Sequence, residues 1–271
     1  MLTVRKAIIN VTDEATARRL GSTTLVDRDG LTKPLIQIVG EEAIDCGADR
    51  IGIVTTSEAQ AQFRRCFESA GDSSSVVQNE KLTAFVERVS FIIEQDARSF
   101  VGDEPVLSLN PAHVYISDTV DRCARQLIDV YERSAQCDVV SAVQPVVERL
   151  LHQFHIVRGR PVDAERGIYL AEQVIAKPSM AVAREQLITP GLPAGNYLAQ
   201  TGMHVFGPGA FENGGRTEGG RAIAAMIRGQ RFDITSRYGL LEAQLALGLS
   251  GIHRNEICEL VARTFASRSR S

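Results

Sequence analysis

Apolar positions along this chain change rhythm from one segment to the next. Lys6-Ala7-Ile8-Ile9 is a short apolar run that predicts a buried strand, and residues 51–54 predict another. Between them, Leu35, Ile38, Val39, Ala43 and Cys46 recur at helical spacing. Pro34 suits the start of that helix and Gly47 suits its C-terminal cap. Residues 57–69 predict a second helix. This strand–helix–strand–helix order implies parallel pairing in a Rossmann-like sheet.

The alternation continues through residues 89–93, 106–109 and 138–143, which predict further strands. Ser117 or Asp118 is placed to cap a helix whose apolar stripe is Val120, Cys123, Ala124, Leu127, Ile128 and Tyr131. From about Gln153 the rhythm shifts. Residues 155–158, 168–175 and 197–206 read as strands without long helices between them. Residues 212–220, rich in glycine and charge, predict a surface loop. One closing helix carries Leu241 and Leu245, the other Ile257, Leu260, Val261 and Phe265, and residues 267–271 predict a frayed tail. The expected fold class is α/β: a Rossmann-like, mostly parallel mixed sheet flanked by helices, with a smaller α+β C-terminal part. A single domain over residues 1–266 accounts for these elements.

Composition narrows the function classes. With 271 residues, 44% hydrophobic and 23% charged, the chain resembles an ordinary globular protein with a substantial core. A net charge of −3 supplies no basic field, so nucleic acid is not an expected partner. No apolar run approaches the roughly 20 residues of a membrane helix. The N-terminus lacks a secretory pattern, so a cytoplasmic location is expected. Cys46, Cys66, Cys123, Cys137 and Cys258 form no C-x-x-C pair, which argues against a structural zinc site and a disulfide framework. His152 and His155 are three apart; on a strand they face opposite ways, so a shared metal is not expected there unless the segment is helical.

Six stretches occur in a specific order: Leu25-Val26-Asp27-Arg28-Asp29-Gly30-Leu31-Thr32-Lys33-Pro34-Leu35-Ile36-Gln37, Gly102-Asp103-Glu104-Pro105, His113-Val114-Tyr115-Ile116-Ser117, Lys177-Pro178-Ser179, Arg231-Phe232-Asp233-Ile234 and Tyr238-Gly239-Leu240-Leu241-Glu242-Ala243. Together they resemble the sugar-1-phosphate nucleotidyltransferases, above all the bacterial glucose-1-phosphate uridylyltransferase type, from about Lys6 to Val261. The resemblance implies a nucleotide-side half at residues 1–150 and a sugar-side half at 151–266. It also implies self-association, with a dimer or other homo- or hetero-oligomer expected. Members join a nucleoside triphosphate to a sugar 1-phosphate and release pyrophosphate. That chemistry calls for backbone N–H groups and cations around the phosphates, and Mg²⁺ held by carboxylates.

Set against those needs, the chain departs from the family at several positions. The G-x-G-T-R loop after the first strand becomes Asp13-Glu14-Ala15-Thr16-Ala17: both glycines and the arginine are gone, and two carboxylates arrive. The simplest reading makes Asp13 and Glu14 a solvated loop or the first turn of a helix; a rearranged phosphate site is the other. Arg18 and Arg19 are the nearby cations able to substitute. The base-side G-x-G-H-A segment is deleted between Gln95 and Asp96. The G-D pair whose aspartate binds Mg²⁺ becomes Pro111-Ala112. The E-K-P motif becomes Ala176-Lys177-Pro178.

Lys177, Asp233, Gly202 and His113 remain as expected ligand contacts, with Asp233 alone a weak Mg²⁺ ligand. The expectation is a nucleotidyltransferase-like pseudoenzyme that binds a sugar phosphate or sugar nucleotide or partners an active relative. The alternative is an active transferase forming an NDP-sugar with Mg²⁺.

Overall fold

The computed structural model describes residues 3–72, 75–134, 137–211 and 220–268. The first half runs β1 (Lys6–Val11), α1 (Glu14–Leu20), β2 (Thr24–Val26), β3 (Thr32–Pro34), α2 (Leu35–Ile44), β4 (Arg50–Thr55), α3 (Ser57–Gly71), α4 (Val76–Val86), β5 (Val89–Ile92), α5 (Ala97–Val101), β6 (Val106–Leu109), β7 (His113–Ser117) and α6 (Cys123–Arg133). The second half runs β8 (Val139–Val147), β9 (His155–Asp163), β10 (Ile168–Ala176), α7 (Met180–Gln186), β11 (Asn196–Phe206), β12 (Ala222–Met226), β13 (Gly229–Asp233), α8 (Gly239–Ser250) and α9 (Arg254–Arg268).

One nine-stranded sheet, ordered β5-β4-β1-β6-β11-β8-β12-β10-β9, joins both halves. Seven strands point the same way; β10 and β11 run against them. The parallel strands are apolar throughout because both faces are covered. On β1, Ala7 and Ile9 face the larger core with α2 and α3, while Ile8 faces a second layer with Val54, Val106 and Phe206. The helical stripe of α2 is buried as its spacing predicts, although the helix ends at Ile44 and Gly47 lies beyond it with a positive φ.

Three expectations are corrected. Val120 is fully exposed and α6 begins only at Cys123. The reason is that Ser117 still pairs with Gly229 as the last residue of β7, so the chain turns before it can coil. Helix α8 buries Gly239, Ala243 and Leu247, leaving Leu241 exposed; leucines surround that helix, so their spacing alone did not select its inner face. Helix α9 extends through residue 268, into the expected tail, and Leu260 and Phe265 on it are exposed. Residues 212–219 of the expected loop and 269–271 of the tail lie outside the described residues.

A buried ionic hub fastens the β2–β3 hairpin to the helices. The Lys33 ammonium, 3% exposed, meets Asp27 at 2.6 Å, Glu41 of α2 at 2.7 Å and Asp29 at 2.9 Å. Lys81 of α4 meets Asp29 at 2.5 Å. These groups line one wall of a cavity of about 540 Å³ between the hairpin, α2 and α4.

Candidate functional site

The β1–α1 junction is a capped helix. Asp13 Oδ2 accepts from the Thr16 N–H at 2.7 Å, and this bond holds the Asp13 carboxyl below its ordinary range. Glu14 pairs with Arg18 one turn on at 2.5 Å. Ala15 is exposed and Ala17 is buried against the core, so neither presents a group to a phosphate. Arg19 donates to the carbonyl of Ile234, fastening α1 beside the end of β13. Of the two readings left open for this loop, the first turn of a helix is the one observed. Where a base-side loop is missing, β5 runs through a single turn at Glu94–Asp96 straight into α5.

A second region forms where β6, β7, β11 and β13 converge. After β6, Asn110 donates its N–H to the Gly202 carbonyl at 2.9 Å and accepts the Ala112 N–H on Oδ1 at 2.8 Å. Gly202 sits where the β11–β8 register shifts, with φ +82°. A Cβ there would lie 2.8 Å from both His113 Nδ1 and Asn110 Cβ, so only glycine fits this bulge.

The bulge aims the Thr201 carbonyl at β7, where His113 Nδ1 and the Tyr115 hydroxyl each donate to it at 2.8 Å. In the antiparallel β7–β13 ribbon, His113 pairs with Asp233 and Tyr115 with Arg231, so these four side chains share one face. Val114 and Phe232, on the other face, enter the core. The Arg231 Nη1 donates to His113 Nε2 at 3.1 Å, and its guanidinium carbon stands 4.5 Å from the centroid of the Phe154 ring.

Electrostatics follow from this packing. Burial, reinforced by Arg231, lowers His113 to about 4, so the ring is neutral with its proton on Nδ1. Both ring nitrogens are engaged by protein groups. His113, expected as a ligand contact, therefore acts here as a strut between Thr201 and Arg231. Burial also lowers Arg231, which nevertheless stays charged. Partial burial works to raise Asp233, but the Thr235 N–H and hydroxyl, at 2.9 and 2.6 Å from Oδ1, together with His113 and Arg231, hold it below its usual range. Gly239 lets the chain turn back here: a Cβ on it would fall 1.8 Å from the Asp233 carbonyl oxygen.

Lys177 follows Ala176, the exposed last residue of β10, and adopts φ +45° immediately before Pro178. A non-glycine residue rarely enters that region, least of all before proline. Its N–H donates to the Phe154 carbonyl at 2.8 Å, which ties it to the ring beneath Arg231. His113, Gly202, Asp233 and Ala112 are thus brought together, Lys177 reaches them through the Phe154 backbone, and α1, which carries Asp13, Ala15 and Ala17, is tied to the end of β13 by Arg19. Arg231 and Tyr115 stand in the stretches that carry the resemblance but are not among the expected ligand contacts, and neither is Phe154. The signal for Arg231 was its position two residues before Asp233 on a strand, which puts both on one face.

The donor set does not fit Mg²⁺. Asp233 is the one carboxylate on this face and already receives two bonds from Thr235. Ala112 supplies no ligand, and the Asn110 amide oxygen is taken by a backbone N–H. Among the described residues, no three His, Cys, Asp or Glu groups converge to hold a metal. No described helix is long and apolar enough to cross a membrane.

No family model matches the chain. It is 26% identical over 280 residues to UTP–glucose-1-phosphate uridylyltransferase 2 of Staphylococcus saprophyticus, covering 92% of this chain and 93% of that protein. It is also 26% identical over 289 residues to the UTP–glucose-1-phosphate uridylyltransferase of Bacillus subtilis, covering 92% of each. Among solved structures, it is similar to a UDP-glucose pyrophosphorylase complexed with UDP-glucose, with a TM-score of 0.67, 21% identity and coverage of 90% and 98%. The UTP-bound enzyme from Acinetobacter baumannii gives a TM-score of 0.68 at 21% identity, covering 96% and 99%. With these sequence relatives and this shared architecture, the chain is a relative of the sugar-1-phosphate nucleotidyltransferases.

Proposed function

We propose that this chain binds a sugar phosphate or a sugar nucleotide and does not carry out nucleotidyl transfer. The observation that carries this reading is the β1–α1 junction. Asp13 already occupies one helix-terminal donor, the Thr16 N–H, Glu14 adds a second carboxylate, and Ala17 is turned into the core. The loss of Mg²⁺ ligands at Ala112 supports the same conclusion. Groups of one site act together, and losing even one commonly costs orders of magnitude in rate. The sugar-side corner, by contrast, keeps Lys177 in an unusual backbone conformation and Gly202 at its bulge, which suits binding.

The relatives named for UTP and glucose 1-phosphate supply the probes. Purified protein, UTP, glucose 1-phosphate and Mg²⁺ are expected to release pyrophosphate at the background rate, while UDP-glucose or glucose 1-phosphate produces saturable heat in calorimetry. Turnover above background that disappears on replacing Arg18 and Arg19 with alanine would establish an active transferase instead.

A further inference from the structure

We propose that Arg231 grips a ligand phosphate directly, with no divalent cation between them. The inference rests on the sugar-phosphate reading above and names the group that does the holding.

Three observations lead to it. First, Arg231 is a half-buried cation that forms no ion pair with any described residue. Carboxylates pair elsewhere in this chain, and Asp233 on the same face is turned to Thr235. A guanidinium carries five N–H donors in a planar fork. One goes to His113 Nε2, and no other described group accepts from the rest. A partly desolvated fork of free donors is matched by a phosphate or a phosphate ester.

Second, the fork is held still before any ligand arrives. The Phe154 ring supports one side, and His113 fixes the other through the chain Arg231–His113–Thr201. His113 is therefore a positioning residue, and Gly202 makes its position possible. Holding an arginine rotamer in advance removes part of the entropy cost of binding.

Third, the corner is set up for an anion rather than a metal. Lys177 leaves the chain next to Phe154, and its side chain also lacks a described ion-pair partner. One carboxylate, Asp233, stands on this face with its Oδ1 engaged by Thr235, and the two cations, Arg231 and Lys177, outnumber it.

The test is calorimetry with glucose 1-phosphate, UDP-glucose and inorganic pyrophosphate, each in excess EDTA and again in Mg²⁺. The proteins are the wild type, Arg231→Gln, Arg231→Lys, His113→Ala and His113→Gln, each first shown to unfold at the wild-type urea midpoint or close to it. Wild-type affinity is expected to be the same in EDTA and Mg²⁺. Arg231→Gln should lose at least about tenfold, the scale of one charged hydrogen bond, and Arg231→Lys should lose less. His113→Ala should weaken binding, and His113→Gln, whose amide oxygen can accept from Arg231, should restore most of it.

Sugar ligands that bind the Arg231→Gln protein as tightly as the wild type, or that bind only with Mg²⁺, overturn the inference and leave the binding reading standing. Pyrophosphate binding that depends on Arg231, without any affinity for the sugar ligands, upholds the inference and removes the sugar reading. If none of the three binds the wild type, both fall.

Discussion

Replacing Lys33 with methionine should be among the most destabilising single changes in this protein. The substitution preserves most of the side-chain volume and removes only the ammonium. Lys33 is 3% exposed and contacts Asp27, Glu41 and Asp29 at 2.6, 2.7 and 2.9 Å. Without it, Asp27 and Glu41 remain 6% and 12% exposed, and among the described residues no other cation is within ion-pair distance of either. Breaking a buried ion pair from one side costs about 3–5 kcal/mol. That is a large share of the roughly 5–15 kcal/mol that holds a domain folded. With a urea slope of roughly 2–3 kcal/mol per molar, the midpoint should fall by about 1–2 M.

The pH dependence gives a second readout. Burial opposes ionisation of Asp29, but its bonds to Lys81 and Lys33 take it down to about 2. A depressed carboxyl stabilises the fold above its unfolded value near 3.8 and ceases to do so as pH falls through about 2. In the methionine variant that acid limb should move to higher pH. Neutralising the orphans as well, with Asp27→Asn and Glu41→Gln, should recover more than half of the loss. A midpoint within 0.3 M of wild type for Lys33→Met alone, or no recovery in the triple variant, would refute the electrostatic account.

Gly202→Ala should cost on the order of 2–3 kcal/mol, because it combines a left-handed backbone with a Cβ pressed onto His113; a melting temperature unchanged within one degree would disprove the clash. His204 is half-buried, shares one hydrogen bond with Ser141 at 2.9 Å, and is lowered by desolvation to about 4. Its unfolded form takes a proton that the folded form refuses, so stability should fall as pH drops from about 6.5 to about 4. His204→Gln should flatten that limb by about 1.4 kcal/mol per pH unit, and an unchanged limb counts against burial of a neutral ring. Glu42 behaves in the opposite sense. Burial outweighs Arg122, which makes its shorter contact with Asp45, and raises Glu42 to about 7. The folded state then holds the extra proton, so its contribution declines as pH rises from about 4.5 to 7. Glu42→Gln, which keeps an acceptor for the Ala124 N–H, should gain on wild type across that window in urea titrations, and a constant difference would argue against it.

The parallel half of the fold was legible because its strands are short, apolar and bounded by helices of clear period; residues 106–109 match β6 to the residue. Helix α4 was missed. Val76 and Val77 on its exposed surface dilute the pattern set by buried Leu82 and Phe85. The hairpin and the β7–β13 ribbon have no local rhythm long enough to see. In the site, the substitutions at Asp13, Ala112 and Ala176 were visible as departures from a motif, and Gly202, Lys177 and Asp233 as residues retained from it. What replaces the missing groups was not visible. The strut from Thr201 through His113 to Arg231 joins residues about 90 and 120 positions apart, and a sequence does not display hydrogen bonds across such distances.

The β7–β13 ribbon has a consequence for synthesis. One of its strands leaves the ribosome more than a hundred residues before the other, so the pairing that brings His113 to Arg231 and Asp233 closes late and at a high loop entropy. A nascent chain stalled anywhere before β13 lacks the His113–Arg231 contact. On the proposed phosphate grip, ligand affinity reports on synthesis of β13: products truncated before it are expected to be blind to the ligand.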